Sequence, residues 1–551
     1  MSIQRDTAWY QDAVFYQVYV RAYKDSNADG HGDLCGLIEK LDHLVALGID
    51  CIWLMPIYPS PLVDDGYDIA DFHSIHPDFG TIQDFEQLLE EAHARGLRVI
   101  SDLVVNHTSD QHPWFIESRS SRDSAKRDWY VWSDSNQRYE EARVIFLDTL
   151  DSNWTFDEAT GQYYWHRFYP SQPDLNYDNP EVQRAMLDVM HFWLDKGIDG
   201  FRVDAVPYLI EREGTNCENL PETHQFLKRM RHEMDDRGSD AVLLCEANQP
   251  PNEVVEYLGD GDEFHMAFHF PVMPRIFMTL HSGDTTKLRE IIQQTPPIPP
   301  GTAWCTFLRN HDELTLEMVT PEERQWMWDA YAPEPRMRLN LGIRRRLAPL
   351  LGNNMQKILL ANRILFSLPG SPIIYYGDEI GMGDNIWLHD RDGVRTPMQW
   401  DASPNAGFSD APPEKLYAPV IDDPVYGYQK VNVASQLDDP DSLLGRMRRM
   451  IATRKRHAAL SRGSFELLDV ENAAFLAFIR RHGSQTVVAV HNVSAEEQTV
   501  ELDLSELAGR QPCDLLHPDE RCEPPGEGPY TLTLPPHESR WLLFDARPGG
   551  C

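Results

Sequence analysis

Short hydrophobic runs rich in β-branched and aromatic residues alternate with longer amphipathic stretches from Ala13 to about Gly381. The runs that predict strands are AVFYQVYV, DCIWL, LRVISDLV, GFRVD, AVLLCE, EFHMAFHF, TAWCTFL and PIIYY. Most of them are continuously apolar, which is typical of a parallel sheet that is covered on both faces. Eight strands alternating with helices predict a closed (β/α)8 barrel.

The stretches between these runs have helical spacing, as in LIEKLDHLVALG, IQDFEQLLEEAHARG and EVQRAMLDVMHFWLDKG. Each ends in a glycine suited to a helix C-cap. Two further segments are too long for ordinary connecting loops. Residues 107–179, after the third run, are polar and rich in aromatics, and they predict an inserted subdomain. Residues 313–354, after the seventh run, predict a second insertion.

Beyond Arg462 the pattern changes to short alternating strands with Gly and Pro turns: FELLDV, AFLAFIRR, QTVVAVHNV, YTLTL and RWLLF. Such a pattern is typical of a β-sandwich. We therefore expect a barrel formed by residues 1–106 and 180–462, a subdomain of residues 107–179, an insertion of residues 313–354 and a C-terminal β-domain of residues 463–551.

The chain has 551 residues and a formal charge of −37, from 87 acidic and 50 basic residues. This charge argues against nucleic acid or an anionic membrane as a partner, and it most simply serves solubility. We expect neither a secretory leader nor a membrane-spanning segment, because the first residues lack the pattern of a leader and no apolar stretch has the length to span a bilayer. Cys51, Cys245 and Cys305 lie in strand-like runs, which predicts reduced, buried thiols and a cytoplasmic protein.

Four predicted strands end in polar clusters. Asn106 and His107 follow the third strand, Asp204 ends the fourth, Glu246 ends the fifth, and the segment 309–312 (RNHD) follows the seventh. A helix cap or a solvated loop explains any one of them. Four clusters at the carboxyl rim, where barrel enzymes carry their active sites, predict catalysis instead.

The run GFRVDAV carries Arg202 and Asp204 on one face of a predicted strand, although charged residues are rarely buried without a partner or a use. Converging carboxylates suit the hydrolysis or transfer of a glycosidic bond, since a retaining mechanism needs one ionised carboxylate and one carboxylic acid. We expect Arg202 to lower the pKa of Asp204 and keep it anionic. Glu246, in a more apolar context, is expected to have a raised pKa and to donate the proton.

The motifs DLVVNH, GFRVDAV, CEAN and RNHD resemble, in order and spacing, the four signature regions of the α-amylase family of glycoside hydrolases (family 13). The resemblance covers the whole chain. It implies that Asp204 is the nucleophile, Glu246 the acid/base and Asp312 the transition-state stabiliser. It also implies three contacts of the cleaved glucose: His107, Arg202 and His311.

Three other segments resemble sugar-contacting parts of the same family. DDGYDI implies contacts of the cleaved glucose from Asp64 and Tyr67. FYPSQPDLN and RDGVRTPMQWD resemble the α-glucosidase branch and imply an aromatic wall at Phe168 and a hydroxyl contact at Arg391, for which Arg395 competes. The alternative for Tyr67 and Phe168 is ordinary aromatic packing.

The segment DSNADGHGD places oxygen-bearing side chains at alternate positions, a pattern of hard-cation loops. Its twelfth position is Gly36 rather than Glu, so it is not an EF-hand. It resembles the Ca²⁺ or Mg²⁺ loop of the α-glucosidase branch, although a plain turn is the alternative. The implied ligands are Asp25, Asn27, Asp29 and Asp33 with the His31 carbonyl. The family also implies a Ca²⁺ between barrel and subdomain, held by Asn106, Asp174, Tyr208, Leu209 and Glu211. Both ions are expected to be structural.

Two long segments, from AVPYLIEREG and from CEANQPPNEV onwards, resemble those family members that isomerise maltose to trehalose. The alternatives are an α-glucosidase or oligo-1,6-glucosidase, a sucrose isomerase or amylosucrase, and an inactive scaffold. The intact set of buried charges argues against the scaffold. The second insertion is expected either to cover the site as a lid or to be a solvated helical hairpin. The expected partner is a small sugar (maltose or trehalose), and self-association into a homo-oligomer is left open.

Overall fold

The computed structural model describes residues 8–238 and 240–545. Eight parallel strands form a closed barrel, which confirms the predicted fold and all eight predicted strand runs. The strands are β1 Phe15–Val18, β2 Cys51–Leu54, β3 Arg98–Val104, β4 Gly200–Asp204, β5 Val242–Cys245, β6 Met266–Phe268, β7 Ala303–Phe307 and β8 Ser371–Tyr375. β8 pairs with β1, and this pairing closes the barrel.

Helices surround the barrel, and their ends follow local sequence signals. The longer ones are Ile82–Ala94, Pro180–Asp195, Pro221–Asp236, Val272–Ser282, Thr286–Gln294, Met355–Ser367 and Leu443–Arg456. Thr81 and Asp84 form a capping box at the first of these, an arrangement that satisfies free backbone N–H groups. The stretch predicted as one helix, LIEKLDHLVALG, is two helices, Leu34–Glu39 and Leu41–Leu47, which meet at Lys40. Gly48 ends the second helix with φ 98°, a conformation that glycine adopts without strain.

Residues 107–179 contain the helix Pro113–Ser118 and a three-stranded antiparallel sheet of Trp132–Ser133, Gln162–Trp165 and Trp154–Asp157. Its own small core includes Tyr139, Trp154 and Trp165. A bridge between His107 and Asp174 ties the end of this segment to its beginning at the barrel rim.

Residues 313–354 fold into the helix Pro321–Tyr331 and a three-stranded sheet of Leu314–Thr315, Gly342–Ile343 and Arg338–Leu339. The alternative of a helical hairpin is therefore wrong. The hairpin residue Asn340 donates its backbone N–H to Asp148 Oδ2 at 2.7 Å. This insertion thus contacts the subdomain above the carboxyl rim of the barrel.

After the helix Ala458–Ser461, the chain forms two antiparallel sheets. One contains Ser464–Leu467, Phe475–His482, Gln485–Asn492, Ser539–Asp545 and Cys513–Asp514, and the other contains Gln498–Leu502 and Tyr530–Leu534. Apolar residues of both sheets share one core, which confirms the predicted β-sandwich. The outer ends of the expected domains, residues 1–7 and 546–551, lie outside the described residues.

Cys51, Cys245 and Cys305 are buried free thiols, as predicted. The expectation of reduced cysteines does not extend to Cys513, which is disulfide-bonded. Within residues 8–238 and 240–545, no helix is both long and apolar enough to cross a bilayer.

Candidate active site

Three carboxylates meet at the carboxyl ends of the barrel strands. Asp204 ends β4, Glu246 directly follows β5, and Asp312 lies in the loop after β7. Ala205 has φ 53°, and such a left-handed conformation in a residue with a side chain often marks a functional turn. Its backbone N–H donates to Glu246 Oε2 at 3.1 Å. The turn after Asp204 therefore brings Glu246 beside it.

One buried guanidinium serves three carboxylates. Arg202 donates through Nη1 to Asp102 Oδ1 at 2.5 Å and to Asp204 Oδ1, and its Nη2 contacts Glu246 Oε1. Asp102 and Arg202 are register neighbours on β3 and β4. Arg202 thus does not serve Asp204 alone, as the sequence suggested, but holds Asp204 and Glu246 side by side. Close carboxyl groups are the arrangement of retaining glycosidases.

The two carboxyl groups differ in proton affinity. Burial raises the pKa of Asp204 to about 6, although Arg202 opposes this shift. The expectation that Arg202 leaves Asp204 with a lowered pKa is therefore wrong, because desolvation outweighs the cation. Burial also raises the pKa of Glu246 to about 8, with the charges of Asp204 and Asp312 adding to the effect and Arg202 opposing it. At neutral pH, Asp204 is mainly ionised and Glu246 mainly protonated.

Asp312 is held by two arginines. Its Oδ1 accepts from Arg391 Nη1 at 2.8 Å and from Arg395 Nη2 at 3.1 Å. Burial alone would raise the pKa of Asp312, but His311 and these two arginines lower it below its usual range. Arg391 also donates to Asp64 Oδ1 at 2.6 Å and lines the pocket, whereas Arg395 donates to Asp65 on the far side. This contrast favours Arg391 as the hydroxyl contact.

The remaining predicted sugar contacts surround the same pocket. Tyr67 stacks on His311 with ring centroids 5.2 Å apart, and its hydroxyl lies 2.7 Å from His311 Nε2. His107 packs against Phe168 at 5.1 Å. The pocket has a cavity volume of about 130 Å³. The predicted residues that line it are Asp64, Tyr67, His107, Phe168, Asp204, Tyr208, Glu246, His311, Asp312 and Arg391. Arg202, which was predicted to contact the glucose, does not line the pocket, because it is buried beneath the carboxylates.

The outer half of the pocket contains residues that the sequence did not single out. Glu317 accepts from Asn248 Nδ2 at 2.8 Å and contacts Arg143 Nη1 at 3.2 Å. Arg143, from the subdomain, also donates to Glu218 at 2.8 Å and to the Tyr208 hydroxyl at 3.2 Å. Tyr208, Asn248 and Glu317 line the pocket. Arg143 joins Tyr208 and Glu317 from the subdomain, beside the pocket.

Asp102 and Gln17 are further residues that sequence reasoning missed. Asp102 accepts from Trp53 Nε1 at 2.8 Å as well as from Arg202. Gln17, on β1, lies 2.7 Å from His311 Nδ1. The sequence carried a signal for both, because each is a polar residue within an apolar strand run, like Arg202. All three are buried in the structure.

Three buried acceptors near the subdomain lack any hydrogen-bond partner: Asn106 Oδ1, Asp174 Oδ2 and Glu211 Oε1. Unpaired buried acceptors are costly. Burial raises the pKa of Asp174 to about 8 and raises the pKa of Glu211 well above its usual value. A hard cation with oxygen ligands fits this donor set. Tyr208 and Leu209 lie in the same rim segment as Glu211, directly after β4.

The predicted loop of residues 25–33 has a different character. Asp25 accepts from the backbone N–H groups of Asn27, Ala28 and Gly30, and Asn27 and Asp29 each accept from the residue two positions later. Asp33 accepts from Ser26 and Gly36. In the part of the chain that is described, no group of three or more His, Cys, Asp or Glu side chains is placed to hold a metal. The same holds for Asp174 and Glu211. Their free oxygens lack hydrogen-bond partners, whereas backbone N–H groups already satisfy the side chains of the loop. The loop therefore fits a cation less well than Asn106, Asp174 and Glu211.

The barrel, the three rim carboxylates and the β-domain define a class of glycoside hydrolases. A family model for the α-amylase catalytic domain matches residues 17–330 and 344–463, and one for the maltogenic amylase C-terminal domain matches residues 465–541. The chain belongs to the α-amylase family. The unmatched residues between these segments lie inside the insertion after β7.

Individual relatives narrow the class. The trehalose synthase/amylase TreS of Mycobacterium tuberculosis is 58% identical over 550 residues, which cover 98% of this chain and 91% of that protein. The oligo-1,6-glucosidase of Bacillus cereus is 33% identical, covering 90% and 92%. Among solved structures, the trehalulose synthase MutB of Pseudomonas mesoacidophila MX-45 superimposes with a TM-score of 0.79 at 31% identity, covering 97% and 99%.

Proposed function

We propose that this chain isomerises maltose to trehalose by a retaining double displacement, with some hydrolysis to glucose. The observation that carries the proposal is its 58% identity to a trehalose synthase across nearly the whole chain, against 33% to an oligo-1,6-glucosidase. The alternative is an α-glucosidase or oligo-1,6-glucosidase. Both reactions pass through the same glucosyl-enzyme, so they differ only in which acceptor takes the glucosyl group.

In the first step, the ionised Asp204 attacks the anomeric carbon of the non-reducing glucose of maltose. Glu246 gives its proton to the bridging oxygen, which leaves on the second glucose. Asp312, Arg391 and Asp64 hold the hydroxyls of the glucosyl group. Because its pKa is lowered, Asp312 stays ionised, and its negative charge helps to stabilise the positive charge that develops on the glucosyl group. The acidic side chains thus have the proton affinities that these roles require.

In the second step, the freed glucose turns within the pocket. Its anomeric hydroxyl gives a proton to Glu246 and attacks the anomeric carbon bound to Asp204. The α,α-1,1 bond forms as the bond to Asp204 breaks, which releases the Asp204 carboxylate. Hydrolysis occurs if water attacks first. The contacts of Arg143 with Glu317 and Glu218 support a closed mouth that keeps glucose in and water out. The insertion after β7, which supplies Glu317, acts as the proposed lid.

Incubation with maltose tests this function directly. We expect trehalose as the main product with a minor amount of glucose. Glucose without trehalose would favour the hydrolase, and the absence of any turnover would favour a scaffold.

The pH dependence follows from the two carboxyl groups. Asp204 must be ionised and Glu246 protonated, so kcat/KM for maltose is expected to fall below about pH 6 and above about pH 8. Initial rates of trehalose formation from pH 4 to 10 measure both limbs. A profile that is flat across this range would contradict the assignment of these two roles.

Opening the mouth is expected to shift the products. Arg143→Ala removes the contacts that join the subdomain to Glu317 and Glu218. We expect a several-fold larger share of glucose and a lower rate of trehalose formation, because water reaches the glucosyl-enzyme. Arg138→Ala is the matched control, since Arg138 belongs to the same subdomain but pairs with Glu213 at the surface. Equal product ratios in both variants would count against the closed mouth, as would an unchanged ratio after shortening residues 313–354.

A structural Ca²⁺ is proposed at Asn106, Asp174 and Glu211, with the Tyr208 and Leu209 carbonyls completing the shell. It neutralises acceptors that otherwise lack partners. A second hard cation, Ca²⁺ or Mg²⁺, is proposed at Asp25, Asn27, Asp29, the His31 carbonyl and Asp33. It is the weaker of the two, because backbone N–H groups already satisfy these side chains.

Removal of the tighter ion is expected to lower the melting temperature, since a ligand that binds only the folded state stabilises it. Treatment with EGTA followed by thermal unfolding measures the shift, and added Ca²⁺ should reverse it. Asp174→Asn should abolish most of the Ca²⁺-dependent shift, whereas Asp29→Asn should leave it nearly intact. An unchanged melting temperature, together with an elemental analysis that finds no metal in the protein, would contradict both proposed cation sites.

The setting of the enzyme is also a proposal. The net charge of −37 supports a neutral sugar as partner rather than nucleic acid or an anionic membrane. A cytoplasmic location and a homo-oligomeric state belong to this proposal, and fractionation and sedimentation test them.

A further inference from the structure

A second cavity lies where the barrel meets the β-domain, away from the catalytic rim. Its volume is about 650 Å³. Gln11, Thr302 and Gly370, which precede β1, β7 and β8, line it from the barrel. They belong to the amino ends of the strands, whereas the three catalytic carboxylates follow the carboxyl ends. Residues 461–465 and Arg480 line it from the other side.

The lining is mainly apolar. Ile292, Ile298 and Phe465 are only partly buried, and Trp304 packs against His269 with ring centroids 4.3 Å apart and the rings tilted by 43°. The segment TPPIPPG, which begins at residue 295, forms one edge, and its prolines make that edge rigid. A cavity of this volume at a domain junction, with an apolar wall, has the character of a small-molecule site. Its polar lining includes two arginines, Arg462 and Arg480.

A buried cation stands in this wall. Arg480 is 1% exposed, and all its hydrogen bonds go to backbone carbonyls, those of Ser367, Ser461, Gly463 and Ser464. No carboxylate pairs with it among the described residues. Phe465, its register partner on the neighbouring strand, places an aromatic ring beside it.

Arg454 adds a second buried guanidinium, which donates to the carbonyls of Phe366, Leu460 and Gly370. Several of these carbonyls end the helices Met355–Ser367 and Ala458–Ser461, and a helix C-terminus carries roughly half a negative charge. Burial lowers the pKa of Arg454, and the negative charges of Asp12 and Asp50 oppose this shift. Within the described part of the chain, Arg480 has no such opposing carboxylate, and the nearby charge that affects its pKa is that of Arg454. Burial and Arg454 lower the pKa of Arg480 to about 9, so it stays charged at neutral pH.

We propose that this cavity binds an amphipathic organic anion, with an apolar or aromatic body between Ile298, Trp304 and Phe465 and a single anionic group directed at Arg480. The positive charge of Arg480 favours an anionic group, and the wall of prolines and aromatic rings favours a ligand with an apolar or aromatic part. Because both domains line the cavity, a bound ligand stabilises their junction. This inference is independent of the isomerase reaction.

The probe is 1-anilinonaphthalene-8-sulfonate, titrated by fluorescence into the full Ca²⁺-loaded chain in the presence of saturating maltose. We expect saturable binding at one site per chain, and binding about ten-fold weaker for N-phenyl-1-naphthylamine, which has the same rings without the sulfonate. Saturating sugar occupies the catalytic pocket, so binding there is excluded.

Two variants locate the site. Ile298→Trp fills the cavity and keeps both arginines, and Arg480→Gln removes the charge but can still donate to the carbonyls. Each should weaken sulfonate binding about ten-fold or more, and Ile298→Trp should leave trehalose formation unchanged. Val45→Trp, at a 43% exposed position elsewhere, is the matched control and should bind as the parent does. If Arg480→Gln does not fold, the Ile298→Trp variant and the uncharged probe still test whether the cavity binds the anion. Undiminished binding by Ile298→Trp, or equal binding of both probes, would overturn the proposal.

Discussion

Replacement of Asp204 by alanine is expected to lower the rates of both trehalose formation and glucose release by about 10⁴-fold or more, because no covalent intermediate can form. The fold should persist. Arg202 still pairs with Asp102 and Glu246 in this variant, so no unpaired buried cation is left. Progress curves on maltose, with circular dichroism to check folding, measure the effect.

Asp102→Asn is the matched control for this variant. Asp102 binds the same guanidinium as Asp204 but does not line the pocket. It positions Arg202, so a much smaller loss is expected, mainly through the pKa values of its neighbours. If Asp204→Ala retained more turnover than Asp102→Asn, the assignment of the nucleophile would be wrong.

Glu246→Gln is expected to lower kcat/KM for maltose by about 10³-fold, because glucose is a poor leaving group without a proton donor. An aryl α-glucoside with an acidic phenol needs little proton assistance, so its first step should lose far less. The fall in rate above about pH 8, which follows from the raised pKa of Glu246, should also disappear. Burst kinetics of phenol release separate the first step from the second.

The Asp204→Ala variant again supplies the contrast, since its turnover of maltose and of the aryl α-glucoside should fall by the same factor. An equal loss of maltose and aryl glucoside turnover in Glu246→Gln would remove its role as proton donor. A persistent alkaline limb would assign that limb to another group, such as Glu313, whose pKa burial raises to about 7.

The barrel was predictable because most strands are nearly continuous apolar runs, and these alternate with amphipathic stretches that end in glycine. The site was predictable where its residues lie in the four motifs at the strand ends. The helix break at Lys40 and the small sheet of the insertion were not, since neither leaves a clear period in the sequence.

The missed features are those that depend on contacts between distant segments. Arg391 and Asp64 are 327 residues apart in the chain and meet at 2.6 Å. Arg143 and Glu317 come from two separate insertions and touch only after folding. The predicted direction of the pKa shift of Asp204 was wrong for a different reason: the sequence shows the neighbouring arginine but not the depth of burial, which raises the pKa.

The central claim is that the glucose released in the first step stays in the pocket and becomes the acceptor in the second. Maltose carrying ¹³C only in its reducing glucose, incubated with a large excess of unlabelled glucose, tests it most directly. The account predicts that early trehalose keeps the label in full, read by mass spectrometry. Trehalose whose label is diluted to the level of the free glucose pool would contradict it.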